Sequence, residues 1–224
     1  RMQKAAAVIQ FKLEGQLIER NPQWGLDHRR LLHRIDHVRG TIEIEGNVYD
    51  LRDKLFPTID PENPYELTTE ESSCLSCLKH SFLNSQKLQE QIRFMVGHGS
   101  MYLRRDECLI FHGCVPVDSA GKFLQLMVDG QLLAGRKLFE SIETVVRRAV
   151  VGAAESDLDF LWYLWSGSRS SLFGKDRIAT FDRDFIKDKT SHRETKDPYF
   201  TLIHEVKFCD SVLTEFGMAT EGGL

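Results

Sequence analysis

Residues 108–116 read Cys-Leu-Ile-Phe-His-Gly-Cys-Val-Pro. Cys108 to Phe111 is apolar at every position, the pattern of a strand covered on both faces. Residues 100–105 predict the strand it pairs with. His112 then stands at the carboxyl end of the strand, where ligands settle in the crevices of open sheets. Gly113 lets backbone pass close to a metal or a phosphate, and imidazole is a common transition-metal ligand. A histidine in this place is more often structural, so the residues alone leave both readings open.

Downstream, residues 122–128 and 131–134 predict a hairpin around Asp129-Gly130. Residues 136–151 carry Leu138, Phe139, Ile142, Val145, Val146, Ala149 and Val150 at helical spacing. Residues 157–166 are aromatic-rich and read as helix or extended chain. The stretch 172–208 mixes basic and aromatic residues and resists assignment, and 205–216 predict a last helix ended by Gly217. Upstream, residues 4–20 predict a helix with Val8, Phe11 and Ile18 near one face, and Lys12 and Glu14 mark it as amphipathic. Residues 26–38 predict a second, highly charged helix.

Residues 41–51 predict a hairpin turning at Gly46-Asn47, with Ile44 opposite Tyr49 and Ile42 opposite Leu51 on one buried face. Pro57, Pro61 and Pro64 stiffen the connection that follows. Thr68-x-x-Glu71 resembles a capping box opening a helix. Ser85 caps the next one, with Leu88, Ile92 and Met95 on its inner face.

The 224 residues suffice for a core without disulfide or metal staples. With 42% hydrophobic and 28% charged residues, the composition is that of a soluble globular protein. No apolar run approaches the roughly 20 residues of a membrane helix. Basic and acidic residues are interspersed, 29 against 33, so no basic stripe points to nucleic acid. Five cysteines, and a start that does not read as a secretory leader, predict reduced thiols in the cytoplasm.

Other constellations carry less. Cys74-x-x-Cys77 falls mid-helix with no second pair and no paired histidines, so zinc is not expected and the thiols pack or lie at the surface. Gly97-His-Gly-Ser100 lacks the lysine and helix start of a phosphate loop. Trp162 and Trp165 flank a small-residue loop leading to Lys175 and Arg177. Such cations beside aromatics suit an anionic-substrate pocket, and equally a solvated loop over an aromatic pair.

Several longer runs are distinctive: 51–67 (Leu-Arg-Asp-Lys-Leu-Phe-Pro-Thr-Ile-Asp-Pro-Glu-Asn-Pro-Tyr-Glu-Leu), Lys79-His-Ser-Phe-Leu-Asn-Ser85, Gly99-Ser-Met-Tyr-Leu103 and Phe111-His-Gly-Cys-Val-Pro116. Trp162-Tyr-Leu-Trp165, Leu172-Phe-Gly-Lys175 and Asp197-Pro-Tyr199 join them. Together they resemble the bacterial class III fructose-1,6-bisphosphatase family, along nearly the whole chain.

The resemblance implies an α+β fold: part of a calcineurin-like metallophosphoesterase β-sandwich flanked by helices, with a helical insertion carrying a β-hairpin. It implies a dinuclear manganese site with His112 as one ligand. It also implies hydrolysis of fructose 1,6-bisphosphate to fructose 6-phosphate in gluconeogenesis, with Lys175 and Arg177 on the substrate side.

The superfamily's other metal motifs are absent: Asp-x-His, Gly-Asp-x-x-Asp, Gly-Asn-His and the late Gly-His. With a first residue Arg1 and a last run Ala-Thr-Glu-Gly-Gly-Leu, this predicts an internal segment of a longer enzyme, inactive alone. The segment divides into a mainly helical insertion, 1–96, and the C-terminal half of the sandwich, 97–224. The insertion covers the site and selects the bisphosphate, or it pairs with another copy as a homo-oligomer. The implied partner is a small sugar bisphosphate, with no nucleic acid and no membrane. Two alternatives stay open: a phosphoesterase with another substrate, and a non-catalytic binding module on a degenerate phosphoesterase fold.

Overall fold

Helix α1 (Met2–Arg20) begins the chain. Its buried side carries Val8, Leu17 and Ile18, but also Lys12 and Glu14, which the sequence pattern assigns to a polar face. Lys12 is tolerated inside because its ammonium meets the Glu71 carboxylate at 2.7 Å and also donates to the Thr58 carbonyl. The computed structural model describes residues 2–152 and 154–220. The ends at which the sequence suggests a cut, Arg1 and 221–224, lie outside the described residues.

Residues 26–38 do not form the expected helix. Single 3-10 turns at Asp27–Arg29 and Leu32–Arg34 replace it, followed by strand β1 (Ile35–Asp36). Leu31, Ile35 and Val38 do stand at helical spacing, but Val38 stays in water and Arg and His crowd the segment. The broken path instead delivers Leu26, Leu32 and Ile35 to the interior.

β1 pairs with β2 (Thr41–Ile44), which pairs with β3 (Asn47–Asp50), all antiparallel. The turn is Glu45-Gly46, with φ of 52° and 77°, one residue earlier than expected. Ile42 therefore faces Tyr49 and Ile44 faces Asn47, a register shifted by two. A shift of two preserves the faces, so Ile42, Ile44 and Leu51 still enter one core with Val8, Phe56, Phe181 and Phe185.

Helix α2 (Thr69–Leu83) opens with both halves of the capping box: Glu71 N–H donates to Thr68 Oγ1 at 3.2 Å, and Thr68 N–H to Glu71 Oε2 at 3.0 Å. Helix α3 (Gln86–His98) follows and buries none of its residues; Met95, expected inside, is 61% exposed.

β4 (Tyr102–Arg105) and β5 (Cys108–Phe111) make a two-stranded hairpin, as do β6 (Leu126–Val128) and β7 (Gln131–Leu133). The double coverage expected for β5 is not found. Tyr102, Leu109 and Phe111 pack inward, while Ile110 and its cross-strand partner Leu103 are about half exposed.

α4 (Gly135–Gly152) buries Leu138, Phe139, Ile142, Val145 and Ala149. α5 (Glu155–Ser166) settles the 157–166 ambiguity as helix. Arg148 of α4 forks to Asp129 at the β6–β7 turn (2.8 and 2.9 Å) and to Asp157 of α5 (2.6 and 2.7 Å). The unassigned stretch resolves into short pieces, α6 (Thr180–Phe185) and α7 (Tyr199–Leu202), before α8 (Val206–Glu215).

The result is a mixed α+β architecture with small antiparallel sheets. It divides into two units, residues 1–88 with 179–193 and residues 89–178 with 194–224. The first thus includes 179–193, because Phe181, Phe185 and Ile186 complete its core and Leu51 bridges to Ile186. No helix among the described residues is long and apolar enough to cross a membrane.

Candidate functional site

His112 leaves β5 as an exposed side chain at the point where the backbone turns. Gly113 makes that turn with φ of 82°, in the left-handed region. A Cβ there would lie 2.0 Å from the Ser171 carbonyl oxygen, so no other residue fits. The next residue locks the same contact, with Cys114 N–H donating to the Ser171 carbonyl at 2.8 Å. The 112–114 turn and the loop around Ser171 are therefore one unit of backbone, and His112 stands on it.

The residues that follow Gly113 are buried, from Cys114 to Val117. Cys114 is fully buried, and burial together with the nearby Asp197 pushes its thiol up to about 12. This cysteine is a packing residue, not a nucleophile. Gly174 closes in beside it with φ of 62°; a Cβ there would stand 2.8 Å from the Phe200 ring and 3.3 Å from the Cys114 sulfur.

Asp197 ties three segments. Its N–H donates to the Gly174 carbonyl at 3.0 Å, and its carboxylate accepts from Tyr199 N–H at 2.9 Å and Val117 N–H at 3.4 Å. Burial raises the carboxyl above its usual range, partly offset by those two backbone donors. The Ser171 hydroxyl is fully buried with no hydrogen-bond partner among the described residues.

Lys175 follows Gly174 and pairs with Glu194 at 2.7 Å. Glu194 keeps only 6% of its side chain exposed, against 37% for Lys175. Asp176 and Thr195 bond reciprocally, Asp176 N–H to the Thr195 carbonyl at 2.9 Å and Thr195 N–H to Asp176 Oδ1 at 2.7 Å. Arg177 is half-buried and engaged. The structure thus links the His112 turn to the 171–175 loop through Ser171 and Gly174.

Sequence reasoning assigned no role to Asp197, Ser171 or Glu194. The Asp-Pro-Tyr pattern at 197–199, a buried carboxylate accepting from the backbone at the start of a helix, is the one local signal for the first.

Among the described residues no group of three or more His, Cys, Asp or Glu side chains converges. One exposed imidazole does not make a metal centre, since a catalytic metal typically takes three protein ligands. The residues present therefore do not fit a complete dinuclear site. Cys74 and Cys77 are both exposed on α2, and none of the five cysteines forms a disulfide.

Fold and site together define a mixed α+β protein that presents a histidine from a strand end on a closely braced turn. The sequence family described as Firmicute fructose-1,6-bisphosphatase matches residues 1–224, and the chain belongs to that family. A fructose-1,6-bisphosphatase class 3 of Alkaliphilus metalliredigens is 44% identical over 97% of this chain, which covers 34% of that relative. Class 3 enzymes of Listeria innocua and Fusobacterium nucleatum are 43% and 44% identical over 100% and 97% of the chain, which covers 35% and 34% of them. The chain thus spans about a third of the length of these relatives. No solved structure matches it.

Proposed function

We propose that this chain is a working part of a fructose-1,6-bisphosphatase, which hydrolyses the 1-phosphate ester of fructose 1,6-bisphosphate to fructose 6-phosphate and phosphate. The observation that carries the reading is the family match along all 224 residues. The enzyme would act in the cytoplasm, in gluconeogenesis, with manganese as the metal. When bound, a metal pair of that kind polarises the phosphate oxygens and activates water. His112 would be one ligand, completed by residues that this chain does not bring together.

The rest of the reading concerns this chain's own residues. Gly113 and the Ser171 carbonyl hold the backbone on which the exposed His112 imidazole stands. The half-exposed Leu103–Ile110 pair and the outer edges of β4 and β5, unpaired among the described residues, suit a hairpin continued by further strands, as in a calcineurin-like metallophosphoesterase sandwich. Residues 97–224 would then be part of that sandwich, and 1–96 an insertion upon it.

Lys175 and Arg177 would hold the phosphate that is not hydrolysed. Lys175 already binds a buried carboxylate, so a phosphate there competes with a charge-assisted bond. Its effect should be smaller than that of an unencumbered cation.

The test uses the polypeptide of the relatives' full length that contains this chain. His112→Ala should lower manganese-dependent phosphate release from fructose 1,6-bisphosphate by orders of magnitude and reduce bound manganese, with the circular dichroism spectrum unchanged. Native activity and metal content in that variant would refute the role of His112. Release of phosphate by the 224-residue chain alone would refute the claim that it is only a part. The rival reading, a non-catalytic binding module, draws on the incomplete ligand set and predicts no turnover by the full-length polypeptide either.

A further inference from the structure

Just past Gly174 the chain pairs with a segment twenty residues on. Lys175 and Lys196 stand opposite each other in an isolated antiparallel bridge. The hydrogen bonds flank them: Asp176 N–H donates to the Thr195 carbonyl at 2.9 Å, and Asp197 N–H to the Gly174 carbonyl at 3.0 Å. That pattern makes Lys175 and Lys196 a non-hydrogen-bonded pair, the closer of the two antiparallel pairings. Their side chains leave the backbone side by side, and like charges directly opposite destabilise such a ladder.

The two lysines are compensated unequally. Glu194 lies two residues before Lys196, which places it on the same face, and its carboxylate meets the Lys175 ammonium at 2.7 Å. Lys196 is exposed, and its side chain makes no hydrogen bond or ion pair among the described residues. Its ammonium lies 5.6 Å from the centroid of the Phe200 ring, a contact that is weak in water and leaves the charge in place. The like-charge pair thus keeps one open member, and an anion set beside it relieves the repulsion.

The bridge hangs on the backbone that carries His112. A Cβ on Gly174 would stand 3.3 Å from the Cys114 sulfur, two residues after His112. A sugar bisphosphate hydrolysed at one end still carries a doubly charged phosphate at the other, and a compact ammonium with three donors suits that group.

Resting on the phosphatase reading, we propose that Lys196 binds the phosphate that the reaction leaves in place. It acts as the open member of the Lys175–Lys196 pair and sets the preference for a bisphosphate over a monophosphate. Lys175 shares the phosphate only as far as it turns away from Glu194.

The test is steady-state kinetics of the full-length polypeptide on fructose 1,6-bisphosphate. Fructose 6-phosphate and fructose 1-phosphate serve as competing ligands, the first with the retained phosphate and the second without it. Lys196→Ala should raise KM for the bisphosphate roughly tenfold with kcat nearly unchanged. The Ki of fructose 6-phosphate should rise by the same factor, and that of fructose 1-phosphate should not move. Lys196→Arg should stay within about threefold of the native KM, because a point charge suffices here. Lys196→Glu should bind the bisphosphate more weakly than Lys196→Ala. The unfolding temperature of Lys196→Ala should hold or rise, since the like-charge pair is gone. An unmoved KM in Lys196→Ala and Lys196→Glu, or equal losses toward both monophosphates, would overturn the proposal and leave the phosphatase reading standing. A native polypeptide that turns over no bisphosphate would overturn both.

Discussion

Helices α4 and α2 carry apolar residues at similar spacing and meet opposite fates. α4 buries five large or small apolar side chains, and Phe139 alone touches the rings of Tyr102, Phe111 and Phe216. α2 leaves its apolar face in water and is held at its first turn by Thr68, Glu71 and Lys12. A 3.6-residue period shows that a helix has an apolar face. It does not show whether the same chain supplies a cover for that face.

That contrast can be broken at five places. The largest effect is expected at Gly113, which precedes Cys114 of the core to which α4 contributes Phe139. Gly113→Ala combines left-handed strain with a clash against backbone that no rotamer relieves. It should cost above about 4 kcal/mol in urea unfolding. Phe139→Ala should cost about 3–5 kcal/mol through the cavity it leaves, read by the same titration.

Lys12→Met comes next, because it strands the Glu71 carboxylate in the interior. A loss of about 3 kcal/mol is expected. The pH dependence of unfolding checks the cause. Burial pushes the Glu71 carboxyl up, but hydrogen bonds from Lys12 and Thr68 outweigh it and hold the group below its usual value. A carboxylate lowered in the folded state stabilises above its unfolded value, near 4.5, and loses that contribution as pH falls through the folded value. The native chain should therefore lose stability steeply in acid, and Lys12→Met should flatten that limb.

Thr68→Ala removes one half of the capping box and should cost about 1 kcal/mol. With so little tertiary packing on α2, the loss should appear as faster amide exchange confined to that helix. The smallest effect is expected at Phe82→Ala, within about 0.5 kcal/mol. A large loss of stability there would mean that α2 is covered within this chain.

Legibility in the sequence was uneven, and for physical reasons. The capping box, α4, both C-terminal hairpins and the faces of the 41–51 hairpin rest on local rules, and the structure shows them. The hairpin register slipped by two because Glu45-Gly46 and Gly46-Asn47 are both plausible turns, while a slip of two leaves the buried face intact. The helix read at 26–38 failed because the core takes Leu26, Leu32 and Ile35, while Val38, in helical register with Leu31 and Ile35, stays in water. At the candidate site, His112 and Gly113 stood out as a strand-end pattern. Asp197 and Ser171 did not, because their roles consist of contacts made across 80 and 58 residues of chain.

Composition, periodicity and the long distinctive runs determined a mixed α+β chain and the family to which it belongs. These follow from short-range chemistry and from residue identity, which sequence states directly. Only the tertiary structure decided that Lys12 and Glu71 meet inside the protein, that Gly113 has no room for a Cβ, and that α2 and β5 keep an apolar face in water. Each of these depends on which distant segment occupies the adjacent space, and no local pattern specifies that neighbour.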